Sequence, residues 1–148
     1  MVTRYNVWKR GIEYAMFFRR YVVERVGDFD ETLGPGAGSP YGAGEGTDYL
    51  LRAIAQEFRI YFDPSIEIHH PYQPQDAESF RAKLYSYALG KGRVLHLRNC
   101  PAWFNVYQCA RPLGGAAAAL LRGSFSRARA YVAVSNGIRR GWLGGAAR

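Results

Sequence analysis

The chain of 148 residues is long enough for one domain with a substantial core and too short for two domains of ordinary size. Hydrophobic residues make up 48% of it and aromatic residues 15%, which excludes an intrinsically disordered chain. The formal net charge of +8 is unevenly distributed, because residues 1–78 hold eight Lys/Arg and twelve Asp/Glu whereas residues 79–148 hold twelve Lys/Arg and no acidic residue.

The first half of the chain is predicted to alternate short strands with helices. Strands are predicted at residues 12–18, 59–62 and 66–70, and helices at residues 21–26 and 45–58. Gly27 is a typical C-terminal cap for the first helix. The second helix places its apolar residues on one face and leaves Arg52 in solvent.

Residues 34–48 form a glycine-rich loop that runs into the start of the second helix. Six glycines and two prolines in this stretch prevent a regular helix or strand and let the backbone approach a ligand closely. Glu45 and Asp48 follow at the N-terminus of the helix. The helix dipole and capping favour acidic residues there without any function, so the pattern fits a helix start as well as a catalytic carboxylate.

The second half of the chain is predicted to be helical. A first helix starts at Asp76, which caps it, and runs toward Asn99, with Gly90 and Gly92 weakening its middle. A second helix starts at Pro101 and is expected to break at residues 111–115. A last helix opens near Ser126. Cys100 and Cys109, nine residues apart in this region, have neither the spacing of a zinc site nor a favourable arrangement for a disulfide, which indicates a reducing compartment.

This basic half also carries many aromatic residues: Trp103, Phe104, Tyr107, Phe125, Tyr131 and Trp142. Such a composition suits an anionic membrane surface, where aromatic rings lie at the depth of the headgroups and Lys/Arg reach the phosphates. Nucleic acid is the rival partner, and a basic face that only contacts solvent is the simplest alternative. The apolar run near residues 113–121 is shorter than the about 20 residues that cross a bilayer, so any attachment is expected to be peripheral or hairpin-like. Residues 1–10 lack the apolar segment of a signal peptide, and the expected location is cytoplasmic.

Several ordered motifs resemble one family. They are Phe29-Asp-Glu31, the glycine-rich loop, Gly44-Glu-Gly-Thr-Asp48 with Leu50-Leu-Arg52, Arg59-Ile-Tyr-Phe-Asp-Pro64 and His69-His-Pro71. Together they resemble the C-terminal half of a family-2 glycosyltransferase. The resemblance implies an α/β fold: the C-terminal part of a GT-A-type, Rossmann-like domain with short strands in residues 1–75, followed by a basic helical, membrane-associated extension in residues 76–148. The nucleotide-binding half with its Asp-x-Asp motif is missing, so the chain would be the second half of a catalytic domain.

The resemblance also implies an activity. It implies inverting transfer of a sugar from a nucleotide-sugar donor to a glycan or lipid-linked acceptor, in polysaccharide synthesis for the cell envelope at the inner face of the plasma membrane. A divalent metal, Mn²⁺ or Mg²⁺, would neutralise the departing diphosphate. His70, six residues after Pro64, is the expected ligand, with His69 as the alternative.

The resemblance implies site residues in the loop and the helix start. Gly36, Gly38, Tyr41, Gly42 and Gly44 are expected to contact substrates. Glu45 is the expected general base, and Asp48 orients it or replaces it. Gly46 stands where the family usually has the second acid. Loss of activity in an inactive remnant therefore stays open, as does a non-catalytic basic helical module that binds an anionic membrane or nucleic acid.

Overall fold

The computed structural model describes residues 1–10, 15–69 and 76–144. Their regular elements are a 3-10 turn at Val7–Lys9 and the α-helices α1 (Arg20–Val26), α2 (Glu45–Ala55), α3 (Ala77–Leu97), α4 (Ala102–Leu121) and α5 (Phe125–Trp142). No β-strand occurs in these ranges. Extended pairing there is limited to one antiparallel bridge, in which the Val2 amide donates to the Ile60 carbonyl at 2.7 Å.

The prediction of an α/β fold with short strands is therefore wrong for the described residues. Residues 59–62 and 66–69 have no regular secondary structure beyond the Ile60 bridge. Their apolar side chains do not alternate into a core, because Phe62, Ile66 and Ile68 are all exposed. A short apolar run does not by itself distinguish a strand from irregular chain, and a strand needs a neighbour for its backbone groups. Residues 12–14 and His70 of the predicted strands lie outside the described ranges.

The same finding corrects the family. A GT-A domain is built on a sheet with helices on both faces, whereas the described part of this chain is helical. The resemblance to a family-2 glycosyltransferase, the GT-A fold and the assignment as a glycosyltransferase of that fold are overturned. The nucleotide-sugar donor, the sugar acceptor and the metal were expected only through this family, so they stay predictions without support from the fold.

The chain divides into two compact units. The N-terminal unit comprises the described residues of Met1–Glu31 and Glu45–Pro74, and the helical unit those of Thr32–Gly44 and Gln75–Arg148. Residues 34–44 of the glycine-rich loop therefore belong to the helical unit, whereas residues 45–48 are the first turn of α2 and belong to the N-terminal unit.

The N-terminal unit is organised around the contact of α1 with α2. As predicted, α1 ends at Gly27, which has a φ of 82°. The core consists of Val26, Tyr49 and Ala53, covered by the partly buried side chains of Phe18, Val22, Phe58 and Ile60. The ring of Tyr49 stacks on Phe29 with centroids 4.5 Å apart and lies 4.8 Å from Phe18. Phe18 precedes α1 and Phe29 follows it, so the Tyr49 ring packs α2 against the chain on both sides of α1.

In the helical unit, α5 packs against both α3 and α4. The predicted cap of α3 is confirmed, since the Asp76 carboxylate accepts from the Glu78 and Ser79 amides at 2.9 and 3.0 Å. A hydrogen bond from the Ser79 hydroxyl, followed by those from the Ser79 and Glu78 amides, lowers the pKa of Asp76. Helix α3 is continuous through Gly90 and Gly92, the two positions that were predicted to weaken it. A Cβ on Gly92 would meet the backbone of α5, so this glycine lets the two helices approach closely.

Helix α4 is continuous where a break was predicted. It runs through Pro112, which lacks the N–H that would bond the Gln108 carbonyl. The Ser135 hydroxyl of α5 donates to the next carbonyl, that of Cys109, at 2.7 Å. Beyond the proline, the ring of Tyr131 lies where a Cβ on Gly115 would be. Packing on α5 and the alanines at 116–119 thus outweigh the unfavourable local sequence.

Candidate functional site

Glu45 and Asp48, the predicted catalytic acids, share the first turn of α2. Asp48 is fully buried, and its Oδ2 accepts from Nε of Arg52 at 3.0 Å. The two terminal nitrogens of Arg52 donate to the carbonyls of Val26 and Asp28 at 2.7 and 2.5 Å. Asp48 therefore orients a guanidinium that binds the C-terminal end of α1 to α2.

The prediction that Arg52 lies in solvent is wrong. Its side chain is only 18% exposed, and its guanidinium carbon lies 5.0 Å from the centre of the Tyr49 ring. Burial raises the pKa of Tyr49, whereas the charge of Arg52 acts in the opposite direction. The spacing of Asp48 and Arg52, one helical turn, was the available signal.

Glu45 is half-buried. Two cavities of about 730 and 420 Å³ occur in the described structure, and neither Glu45 nor Asp48 lines them. The catalytic role of the two acids stays a prediction, while the contacts around Asp48 give that residue a structural role.

The glycine-rich loop docks on α3. The Gly42 amide donates to the Ser86 hydroxyl at 2.9 Å, and that hydroxyl donates to the Pro40 carbonyl at 3.0 Å. Tyr41 is buried, with the Arg93 guanidinium 5.6 Å from its ring centre. A Cβ on Gly44 would lie 2.9 Å from the Val94 side chain. In this part of the loop, the glycines thus permit close contact with a helix.

Gly36 and Gly38 differ from these positions. Both have a positive φ, of 85° and 66°, and a Cβ at either would meet no atom within 4 Å. Their conformation requires glycine, but their surroundings are open. Substrate contact by the predicted loop residues stays a prediction.

The predicted metal ligands are not brought into a cluster that the structure describes. His69 is exposed, and His70 lies outside the described residues. Across residues 1–10, 15–69 and 76–144, no group of three His, Cys, Asp or Glu side chains is arranged to hold a metal ion. Cys100 and Cys109 are free thiols, and burial raises the pKa of Cys109.

The surface of α4 presents a different candidate. One side of this helix is apolar along its whole length and is exposed to solvent. We name it the α4 face; it consists of Trp103, Val106, Tyr107, Ala110, Leu113, Gly114, Ala117, Leu120 and Leu121. These positions recur every three or four residues, so they form one stripe on a helix that is about 30 Å long. The opposite side, with Phe104, Ala116 and Ala119, is buried.

The α4 face continues into the turn between α4 and α5. Leu121 is 91% exposed and Phe125 is 70% exposed, and Arg122 lies between them. Arg111 borders the stripe halfway along the helix, one turn after Tyr107. The acidic residues of the helical unit, Asp76 and Glu78, stand at the start of α3, so the stripe has basic and no acidic neighbours along α4.

The sequence interpretation found the helix but not its exposed side. It grouped Trp103, Phe104 and Tyr107 among the aromatic residues of the basic half, whereas only Phe104 of these three is buried. The helix is apolar around much of its circumference, so periodicity alone does not select the side that packs.

Among the described helices, none combines the length and the hydrophobicity needed to cross a bilayer. Comparisons of the chain with models of protein families, with curated proteins and with solved structures returned no match.

Proposed function

We propose that the helical unit binds the surface of an anionic membrane, with the α4 face lying in the interface between headgroups and acyl chains. The observation that carries this proposal is the continuous exposed apolar stripe on a helix whose charged neighbours are all basic. An exposed apolar patch of this length is unusual on a soluble domain and marks a surface that is covered by a partner.

The chemistry of the α4 face favours a lipid partner over nucleic acid. Nucleic acid binding depends mainly on Lys/Arg contacts to phosphates, and an aliphatic stripe of Leu113, Leu120 and Leu121 adds little to such contacts. At a membrane interface, both the aliphatic stripe and the basic residues contribute to binding. Burial of one Leu contributes about 1.5–3 kcal/mol, and each Lys/Arg near an anionic surface contributes about 1 kcal/mol.

The arrangement of residue types along α4 fits the same interface. Trp103 and Tyr107 stand in the first turns, where their rings can lie at headgroup depth. The aliphatic residues follow toward the turn with Phe125, and Arg122 at that end can reach lipid phosphates. The buried side of α4 packs on α5. A free amphipathic helix needs a polar side that faces water, and here α5 covers that side of α4 instead.

Sedimentation with vesicles tests the proposal. The full chain is mixed with vesicles of phosphatidylcholine alone and with vesicles that also contain phosphatidylserine. We expect binding to the mixed vesicles that weakens with salt without disappearing, because the apolar term remains. Leu121→Asp should weaken binding at least about tenfold, since it loses the burial of one Leu and adds a repelled charge.

Leu143→Asp is the matched control, because Leu143 is also an exposed leucine of the helical unit but lies beyond the end of α5. It should bind vesicles nearly as the parent chain does. An equal loss of vesicle binding in the two variants would contradict the proposal. So would a chain that does not bind vesicles but binds duplex DNA, with an affinity that Leu121→Asp leaves unchanged.

A further inference from the structure

The helical unit contains a cavity of about 730 Å³ between α3, α4 and α5. This volume lies in the range of pockets that hold small organic ligands. Its apolar floor includes Leu84, Ala88, Val134 and Ile138, and Ile138 is only 2% exposed. Phe80, Tyr87 and Tyr131 line it as well and are partly exposed, which places aromatic rings at the rim.

The polar groups of the cavity are basic or neutral. Lys91, Arg111 and Arg127 line it, one from each helix, and no acidic residue does. Lys91 Nζ donates to Gln108 Oε1 at 2.7 Å, across the space between α3 and α4. The oxygen of the Gln108 carboxamide accepts the hydrogen bond from Lys91, and the NH₂ group of the same carboxamide can donate to a ligand. Gln108 is 4% exposed, so this amide lies deep in the unit.

We infer that this cavity binds a single-chain amphiphile with an anionic head, a carboxylate or a phosphate monoester. The aliphatic floor can bury an alkyl chain but offers no hydrogen bonds to a base or a sugar. The three cations and the Gln108 amide can bind an anionic head, and Arg111 and Arg127 can do so with two parallel hydrogen bonds each. This site goes beyond the membrane surface proposed above, because none of its residues belongs to the α4 face and only Arg111 borders both.

Calorimetric titration of the full chain tests the inference with ligands kept below their aggregation concentrations. The ligands are dodecyl phosphate, dodecanoate, dodecanol, adenosine monophosphate and inorganic phosphate. We expect one molecule of dodecyl phosphate or dodecanoate per chain, with the tighter of the two identifying the head. Dodecanol should bind at least tenfold more weakly, and the two anions that lack a chain should not bind measurably.

Two variants locate the binding. Ala130→Phe places a ring in the cavity from α5 and should abolish binding. Arg111→Gln with Arg127→Gln removes two exposed cations and should weaken dodecyl phosphate binding at least tenfold while leaving dodecanol unchanged. Arg81→Gln with Arg129→Gln is the matched control, because both residues are exposed and neither lines the cavity. Circular dichroism verifies that each variant keeps its helices.

Dodecanol binding as tightly as dodecyl phosphate, or equal weakening by both arginine pairs, would overturn the inference. Tight binding of adenosine monophosphate would overturn the assignment of an alkyl chain. If Ala130→Phe does not fold, the arginine pairs decide alone. Leu121→Asp should retain dodecyl phosphate binding, so a failure of the membrane proposal and a failure of this one give different results.

Discussion

Arg52 joins three parts of the N-terminal unit through one side chain. Its guanidinium donates to the buried Asp48 carboxylate, to the Val26 carbonyl at the end of α1 and to the Asp28 carbonyl two residues later. When one member of a buried ion pair is removed, the other charge stays in a region that water does not reach. Arg52 therefore contributes more to the stability of the N-terminal unit than an exposed arginine does in an ordinary ion pair one helical turn apart.

We predict that Arg52→Gln destabilises the N-terminal unit by about 3 kcal/mol, because it leaves Asp48 without this counterion and frees the end of α1. Hydrogen exchange of the α1 and α2 amides, followed by mass spectrometry, measures the effect, and exchange should accelerate there. Arg59→Gln is the control, since Arg59 is exposed. Unchanged exchange in α1 would show that the Arg52 contacts do not hold that helix.

At the level of single residues, the sequence predicted the positions of Glu45 and Asp48 but not their surroundings. Their place at the start of a helix follows from local preferences, which the sequence contains. The contacts of Arg52, the partner of Asp48, involve instead the carbonyls of Val26 and Asp28, which lie 26 and 24 positions earlier in the chain. Such a long-range contact leaves no mark in the spacing of nearby residues. The docking of Gly42 and Gly44 on α3 was missed for the same reason.

Among the elements, the crossing of α3 and α5 depends most on residue size. A Cβ on Gly141 would lie 2.8 Å from the Arg93 amide nitrogen and would also meet the Leu89 carbonyl. A Cβ on Gly137 would lie 2.8 Å from that of Ala88. Small residues on both helices thus bring the two backbones into direct contact, and α5 holds α4 through its other side.

Gly141→Ala should therefore destabilise the helical unit by about 1–3 kcal/mol, because backbone atoms of α3 have to move. Gly114→Ala is the matched comparison, since Gly114 is also inside a helix but a Cβ there meets no atom within 4 Å. This second change should stabilise the unit by about 0.5–1 kcal/mol through helix propensity. Urea denaturation followed by circular dichroism gives both values. Opposite signs are expected, and destabilisation of equal size by the two substitutions would contradict close packing at Gly141.

Predictions of elements succeeded where the signal was local. The starts of α3 at Asp76 and of α4 after Pro101 and the end of α1 at Gly27 were all predicted from the chemistry of helix ends. The predicted strands failed because residues 59–62 and 66–69 have no neighbouring ladder in the described structure. The predicted break near Pro112 failed because α5 supports α4 on both sides of the proline. In each failure, a tertiary contact or its absence decided the structure.

For the molecule as a whole, charge and architecture divide at nearly the same place. The helical unit carries its only acidic residues, Asp76 and Glu78, at the start of α3 and has basic residues on all three helices. The N-terminal unit contains the other acidic residues, together with eight Lys/Arg. The split in charge was readable from the sequence, and so was the helical character of the basic half. The inclusion of residues 32–44 in the helical unit was not, because it depends on contacts with Ser86, Gly90 and Arg93.

That inclusion predicts that a change in the loop destabilises the helical unit. We expect Tyr41→Ala in the full chain to destabilise this unit by about 3 kcal/mol, because the Tyr41 ring is buried and lies beside Arg93 of α3. Hydrogen exchange of the α3 amides, followed by mass spectrometry, measures the effect, and exchange should accelerate there. Tyr61→Ala is the matched control, because Tyr61 is an exposed tyrosine of the N-terminal unit. Unchanged exchange in α3 after Tyr41→Ala would mean that the loop adds nothing to the three helices, and its glycines would then need an explanation other than docking.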